Sequence, residues 1–239
     1  MRLDAGVFCP VSAVVFYSNT GESRAIAAYL ANKLGYRLAA LEEEKTEKYQ
    51  NLVLVFPVYC QNIPRAVAAF LKKAEAQCLA VIAAYGKMHH GNVLYEIQTQ
   101  YRKAVVAGAY VPTRHAYIED DEPFSEFDLL MPLVEKLRAP SPAPVLLPRL
   151  RKNLLASLFP EGRSRIGLKI QKSGLCDGCN ACAALCPLGA MQNGTPSRRC
   201  IRCLRCVTLC PRQALEIKLG LPLKLYLRKK KKDEIILYL

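Results

Sequence analysis

Four cysteines at Cys176, Cys179, Cys182 and Cys186, the last followed by Pro187, recur 24 residues later as Cys200, Cys203, Cys206 and Cys210, followed by Pro211. Leu185 and Leu209, and Ala190 and Ala214, match at the same offset, so the segment is an internal repeat. Thiolates at this spacing are metal ligands. Three on one turning loop can grip three irons of a cuboidal cluster, while the fourth must come from elsewhere. Zinc also uses C-x-x-C pairs, but needs four ligands per ion and usually separates its pairs more widely. A disulfide framework suits eleven cysteines poorly, because the number is odd and the chain does not start with a basic leader and cleavage site.

The C-x2-C-x2-C-x3-C-P run resembles that of bacterial ferredoxins, in which the fourth cysteine of each run binds the other cluster. The resemblance implies one 4Fe-4S cluster on Cys176, Cys179, Cys182 and Cys210, and a second on Cys200, Cys203, Cys206 and Cys186.

A second candidate lies near the start of the chain. Ser18-Asn19-Thr20-Gly21-Glu22-Ser23 falls between an apolar β-rich run and a helical pattern. Hydroxyls, a flexible Gly and free N–H groups at a helix start suit an anion; the competing reading is a Ser/Thr-capped helix. Neither the dinucleotide turn nor the Walker loop is present. The spacing S-x-T-G-x-S resembles the phosphate loop of flavodoxins, which implies FMN. Pro57-Val58-Tyr59 and Tyr85-Gly86 resemble the flavin-facing loops of short flavodoxin-like proteins. Tyr59 or Tyr85 could stack on the flavin, or each could be a half-buried strand-end ring. Two residues depart from the family pattern: Glu22, whose carboxylate repels a phosphate unless it turns outward, and Asn19, in place of a small residue.

These loops need strands and helices to hold them. Ala13–Tyr17, Asn51–Phe56, Leu79–Tyr85 and Ala104–Tyr110 read as buried strands, with a weaker one near Tyr36–Leu41. The apolar run from Ala5 belongs to the first. Helical patterns follow from Ile26, Leu30 and Leu34, over Ile63–Ala74 with Pro64 in its first turn, over Gly91–Tyr101, and over Phe127–Leu137, with Ser125 as cap and Pro132 as a kink. The alternation predicts an α/β doubly wound, five-stranded parallel sheet covered on both faces. Its ligands would sit at the loops after the strand carboxyl ends.

Composition divides the chain. It is 51% hydrophobic and 23% charged, as expected of a globular protein. No run approaches about eighteen apolar residues, so no spanning helix is expected. The net charge of +14 lies wholly in one part: residues 1–138 carry 15 Lys and Arg against 15 Asp and Glu, and residues 139–239 carry 19 against 5. Ala139-Pro140-Ser141-Pro142-Ala143-Pro144 marks the boundary. The expected units are a flavodoxin-like domain (1–140), a Pro-rich and basic linker (141–165), a small α+β bacterial ferredoxin-like domain (166–218) and an extended basic tail (219–239).

Most of the chain is thus similar to the flavodoxin-ferredoxin fusion proteins of anaerobic bacteria and archaea. The resemblance implies a cytoplasmic protein passing low-potential electrons between FMN and two 4Fe-4S clusters, to or from an unidentified redox partner. Two alternatives stay open: a flavin-dependent reductase acting directly on a small molecule, and a docking domain with an empty flavodoxin fold. Cluster and phosphate charges would lower +14 to about +8. Arg199, Arg202 and Arg205, interleaved with the second cysteine set, are expected to raise that cluster's potential and favour an acidic partner.

The remaining residues read more plainly. Cys9 and Cys78 are expected as small buried hydrophobes, and Cys60 as a loop thiol that could touch the flavin. His89 and His90 read as solvated loop residues with a flavin contact as the alternative. His115 and the acidic run Glu119–Glu122 read as a solvated loop, and Asn193-Gly194 as a turn between the repeats. Leucines, with Ile217, at every second position from Leu215 to Leu227 predict an extended or edge segment. The run Arg228–Lys232 reads as a solvated end or as a docking patch, for an acidic redox partner ahead of nucleic acid or an anionic membrane surface.

Overall fold

A computed structural model describes residues 11–118, 120–151, 163–229 and 231–239. Cys9, Glu119 and Lys230 lie outside them, as do the first residues of the apolar run from Ala5. The first unit begins with β1 (Val11–Phe16), α1 (Glu22–Leu34), β2 (Arg37–Ala40), β3 (Lys48–Pro57) and α2 (Arg65–Lys73). It continues with β4 (Glu75–Tyr85), α3 (Val93–Gln100) and β5 (Val105–Pro112), then a 3-10 turn over Phe127–Leu130 leading into α4 (Met131–Arg138).

These five strands are parallel, in the order β2-β1-β3-β4-β5. That is the flavodoxin-like doubly wound order, with its reversal point between β1 and β3. The apolar runs of β3, β4 and β5 are continuous because both faces of a central strand are covered. α1 and α4 cover one face through Ile26, Leu30, Leu133 and Val134. α2 and α3 cover the other through Val67, Leu71, Leu94 and Ile97.

Two local expectations are corrected here. No side chain caps the 3-10 turn; Ser125 instead accepts the Phe127 amide on its backbone carbonyl, at 2.9 Å. Pro132 produces no kink, because it lies in the first turn of α4, where a missing N–H leaves no bond unmade. The Pro-rich segment that follows runs extended along the first unit. There Val145 N–H donates to Val105 O at 2.8 Å, and Leu147 is buried in the sheet's core.

The second unit comprises α5 (Arg163–Gly167), β6 (Leu168–Lys172), α6 (Ala181–Ala184), β7 (Met191–Gln192), β8 (Thr195–Pro196), α7 (Arg205–Thr208) and β9 (Leu215–Leu219). β6 and β9 form an antiparallel ladder, and β7 and β8 a small hairpin. Asn193 and Gly194 make the hairpin's two-residue turn, both at positive φ, as a primed turn requires.

The tail is not extended throughout. Leucine alternation holds to Leu219, after which Gly220 breaks the ladder and Pro222 starts α8 (Leu221–Leu227). The chain then returns to the first unit, where β10 (Ile236–Tyr238) pairs antiparallel with β5 as a sixth strand. The basic run is therefore no plain solvated end: Lys231 Nζ lies 2.6 Å from Asp121 Oδ1, and the Lys232 amide donates to Lys87 O.

Candidate functional site

The eight repeat cysteines sort into two sets around two separate cavities. Cys176, Cys179, Cys182 and Cys210 line one. Cys186, Cys200, Cys203 and Cys206 line the other. Each ring takes three thiols from one repeat and the fourth from the other. Among the described residues, no three His, Cys, Asp or Glu converge as ligands of one ion.

The loops reach this shape through left-handed residues repeated at the sequence offset. Gly178, Asn180 and Gly189 have positive φ in the first copy, and Arg202, Leu204 and Gln213 in the second. Hydrogen bonding repeats as well. Ala190 N–H donates to Cys186 Sγ at 3.1 Å and Ala214 N–H to Cys210 Sγ at 3.3 Å; Cys176 and Cys200 amides donate to the Ser173 and Ser197 carbonyls. Burial, with crowding by neighbouring thiols, pushes Cys203 up to about 11 and Cys206 up to about 12. Arg202 Nε donates to Leu168 O, while its Nη1 is buried without a partner.

At the carboxyl end of the parallel sheet, the loops after β1, β3 and β4 meet around the reversal point. Ser18–Ser23 leads into α1, where Gly21 is left-handed at φ 97° and no side chain caps the helix. The capping alternative for the hydroxyls therefore falls, and the first-turn amides keep their donors. Asn19 is buried; its Nδ2 donates to the Tyr59 hydroxyl, and its Oδ1 has no partner. Pro57 ends β3, and the Val58 amide donates to Ala84 O at 2.7 Å, bringing Val58 alongside the Tyr85-Gly86 loop. Tyr59 meets Tyr17 edge-on at 6.5 Å. The loops after β3 and β4 also touch at Gly91, where a Cβ would stand 2.5 Å from Gln61 O.

Other residues at this end have different surroundings from those expected. Tyr85 is only 2% exposed, its ring edge-on to His90 at 5.2 Å and its hydroxyl donating to Glu234 O in the returning tail. Its ring thus faces the core rather than the crevice. Glu22 does turn aside, to Arg114 at 3.3 Å; burial raises its pKa and Arg114 opposes the rise. Gly86 is held close to His115, with a Cβ position 2.7 Å from that ring.

The histidines and Asp121 are more enclosed than a solvated loop, while Asp120 and Glu122 are exposed. His90 is buried and stacks on Tyr110 at 4.0 Å. His115 is pushed down to about 4 by burial, against the pull of Asp121. Asp121, its side chain 4% exposed, accepts the His115 amide and pairs with Lys87 and Lys231. Burial would raise its pKa, but those partners hold it below the usual carboxylate value. Cys60 is exposed, with a left-handed backbone, and Cys78 packs partly buried against the core.

Contacts between the units went unread in the sequence. Tyr117, in the loop after β5, donates its hydroxyl to Arg202 O at 3.2 Å, and Arg205 pairs with Glu42, in the loop after β2, at 2.8 Å. Two of the three interleaved arginines are therefore engaged within the chain, and only Arg199 is exposed. An arginine inside a cysteine motif could have signalled such a contact, but Glu42 stands among three consecutive acids that look equally solvated.

No family model matches the chain, and no curated protein is significantly similar to it. Among solved structures, a putative flavoprotein from Bacteroides uniformis is 14% identical with a TM-score of 0.36, covering 45% of this chain and 94% of its own. A short-chain flavodoxin associated with a PDU bacterial microcompartment is 16% identical with a TM-score of 0.40, covering 52% and 93%. An archaeal flavodoxin is 13% identical with a TM-score of 0.37, covering 54% and 99%. Among the described residues no helix is long and apolar enough to cross a membrane.

Proposed function

We propose that this chain is an electron-transfer protein that holds two 4Fe-4S clusters in its thiol rings and FMN at the β1/β3 crevice, and exchanges low-potential electrons with an acidic partner protein. The observation that carries the reading is the sorting of the cysteines: each ring takes its fourth thiol from the other repeat, as crossed ligation requires. A ring around a cavity suits a multi-iron body, whereas one zinc would need its thiols at about 2.3 Å from a common point.

For FMN the supports are the reversal point itself, the uncapped first turn of α1 and the buried Asn19 Oδ1. Ser18, Thr20, Gly21 and Ser23 would hold the phosphate. Asn19 Oδ1 needs a donor, which a ribityl hydroxyl supplies and a phosphate oxygen does not. Tyr59 would be the ring to meet the flavin, and Glu22 keeps its charge turned toward Arg114. When bound, FMN supplies one- and two-electron chemistry and the clusters one-electron chemistry. The protein's part is to hold these groups, exclude water from the second ring and shape its potential through N–H···S bonds and nearby arginines.

Anaerobic purification tests the reading. About eight iron, eight sulfide and one FMN per chain are expected, and four or fewer iron with no released flavin would overturn it.

A further inference from the structure

The two rings differ in what lies outside them. Around the first, polar contacts stay within the second unit: the Cys179 amide donates to Asp177, Arg212 pairs with Asp177 at 2.9 Å, and the Asn193 amide donates to Asn180 Oδ1. Cys179 itself is exposed. The second ring is more enclosed, with Cys200 and Cys206 buried. Its loop touches the first unit at two points flanking Cys203, through the Arg202 carbonyl to Tyr117 and through Arg205 to Glu42. Both partners come from loops at the carboxyl end of the sheet, the end that carries the crevice. Tyr117 also packs against the apolar cluster holding Cys200, Leu204 and Cys206.

We infer that this junction fixes the order of electron flow: the second ring is the internal port, held against the FMN crevice by Tyr117, Arg202, Arg205 and Glu42, and the first ring is the external port where the partner docks. The inference rests on the function proposed above. A one-electron carrier with an acidic face suits the external port, because residues 163–218, which bear the rings, carry 10 Lys and Arg against 2 Asp and Glu. Each transfer oxidises that partner by one electron, and two transfers with two protons from solvent reduce one FMN. Tyr117 and Glu42 are positioning residues, since each bonds an arginine of the second-ring loop.

Charge reversal across the junction separates this order from its alternatives. Iron, sulfide and FMN are first measured in the full-length protein and in each variant. Dithionite-reduced plant-type ferredoxin, an acidic one-electron protein, then serves as donor in stopped flow. Glu42→Arg sets two cations face to face, so the clusters should be reduced at the wild-type rate while FMN bleaching slows about tenfold. Adding Arg205→Glu should restore it. A readout independent of turnover is relaxation of the clusters' electron-spin signals by a dissolved dysprosium chelate. The first-ring signal, assigned with Cys206→Ser, should respond and the second-ring signal should not. FMN bleaching indifferent to Glu42→Arg, or a chelate acting as strongly on the second ring, would overturn the inference while cofactor content upheld the function. Wild-type protein without clusters or FMN would overturn both.

Discussion

The two copies of the cysteine repeat share a backbone and differ in what they do with it. The first places its left-handed turns on Gly178, Asn180 and Gly189, residue types that tolerate positive φ, and its loop faces solvent. The second places them on Arg202, Leu204 and Gln213. In exchange for backbone strain it gains Leu204, buried in the second unit's core, and Arg202, whose carbonyl and side chain both bind neighbours. A repeat that began as two equal halves can thus give one exposed and one sheltered ring, without changing the cysteine spacing that defines both.

The largest effect expected concerns which ring each copy completes. Cys210→Ser should remove the cluster of the first ring, and Cys186→Ser that of the second, read as two different surviving electron-spin signals. The same signal lost in both variants, or the losses reversed, would break the crossed arrangement.

Next comes the strap that ties the second unit back to the first. A chain ending at Arg228 loses β10 and the Lys231–Asp121 pair, and unfolding should move down by about 10 °C, measured by calorimetry. Acid should weaken the same region. His115 is neutral in the fold and titrates at about 4, so the unfolded chain binds its proton first. Stability is therefore lost as pH falls from about 6.5 toward 4. The lowered pKa of Asp121 adds a further loss once pH drops through its folded value. His115→Asn should flatten the upper part of that profile.

A smaller effect is expected at the crevice. Glu22→Gln removes a charge from the first turn of α1 and leaves Arg114 unpaired, and should tighten FMN binding by a few fold to about tenfold in a fluorescence titration. Weaker binding would show that the carboxylate serves the site through Arg114. The smallest effect sharpens the backbone comparison. Gly189→Ala, with open space around its Cβ position, should cost about 1 kcal/mol through φ alone. Gln213→Gly, its counterpart, should stabilise by less than about 0.5 kcal/mol, relief of strain being offset by the freer unfolded chain.

Much of the first unit was legible in the sequence because central parallel strands must be continuously apolar and their helices amphipathic. Val53–Phe56 and Ile26, Leu30 and Leu34 carry those patterns openly. The tail was harder to read. Its leucine alternation points to a strand, yet Gly220 and Pro222 convert the second half into α8, and the short run Ile236–Tyr238 has no neighbour in sequence to suggest a partner. Tyr85 stayed open between two readings for a related reason: a strand-end tyrosine looks as available to a ligand as to the core until a segment 149 residues away accepts its hydroxyl.

The sequence by itself determined the repeat, the identity of its eight thiols, the parallel sheet and the position of the Ser18–Ser23 loop, because spacing and periodicity are local. Only the tertiary structure decided which ring is sheltered, and that Arg205 meets Glu42 across 163 residues of chain. Those outcomes depend on how two separately patterned units bury surface against each other, and a charged residue carries no local sign of whether its partner will be water or a carboxylate on a distant loop.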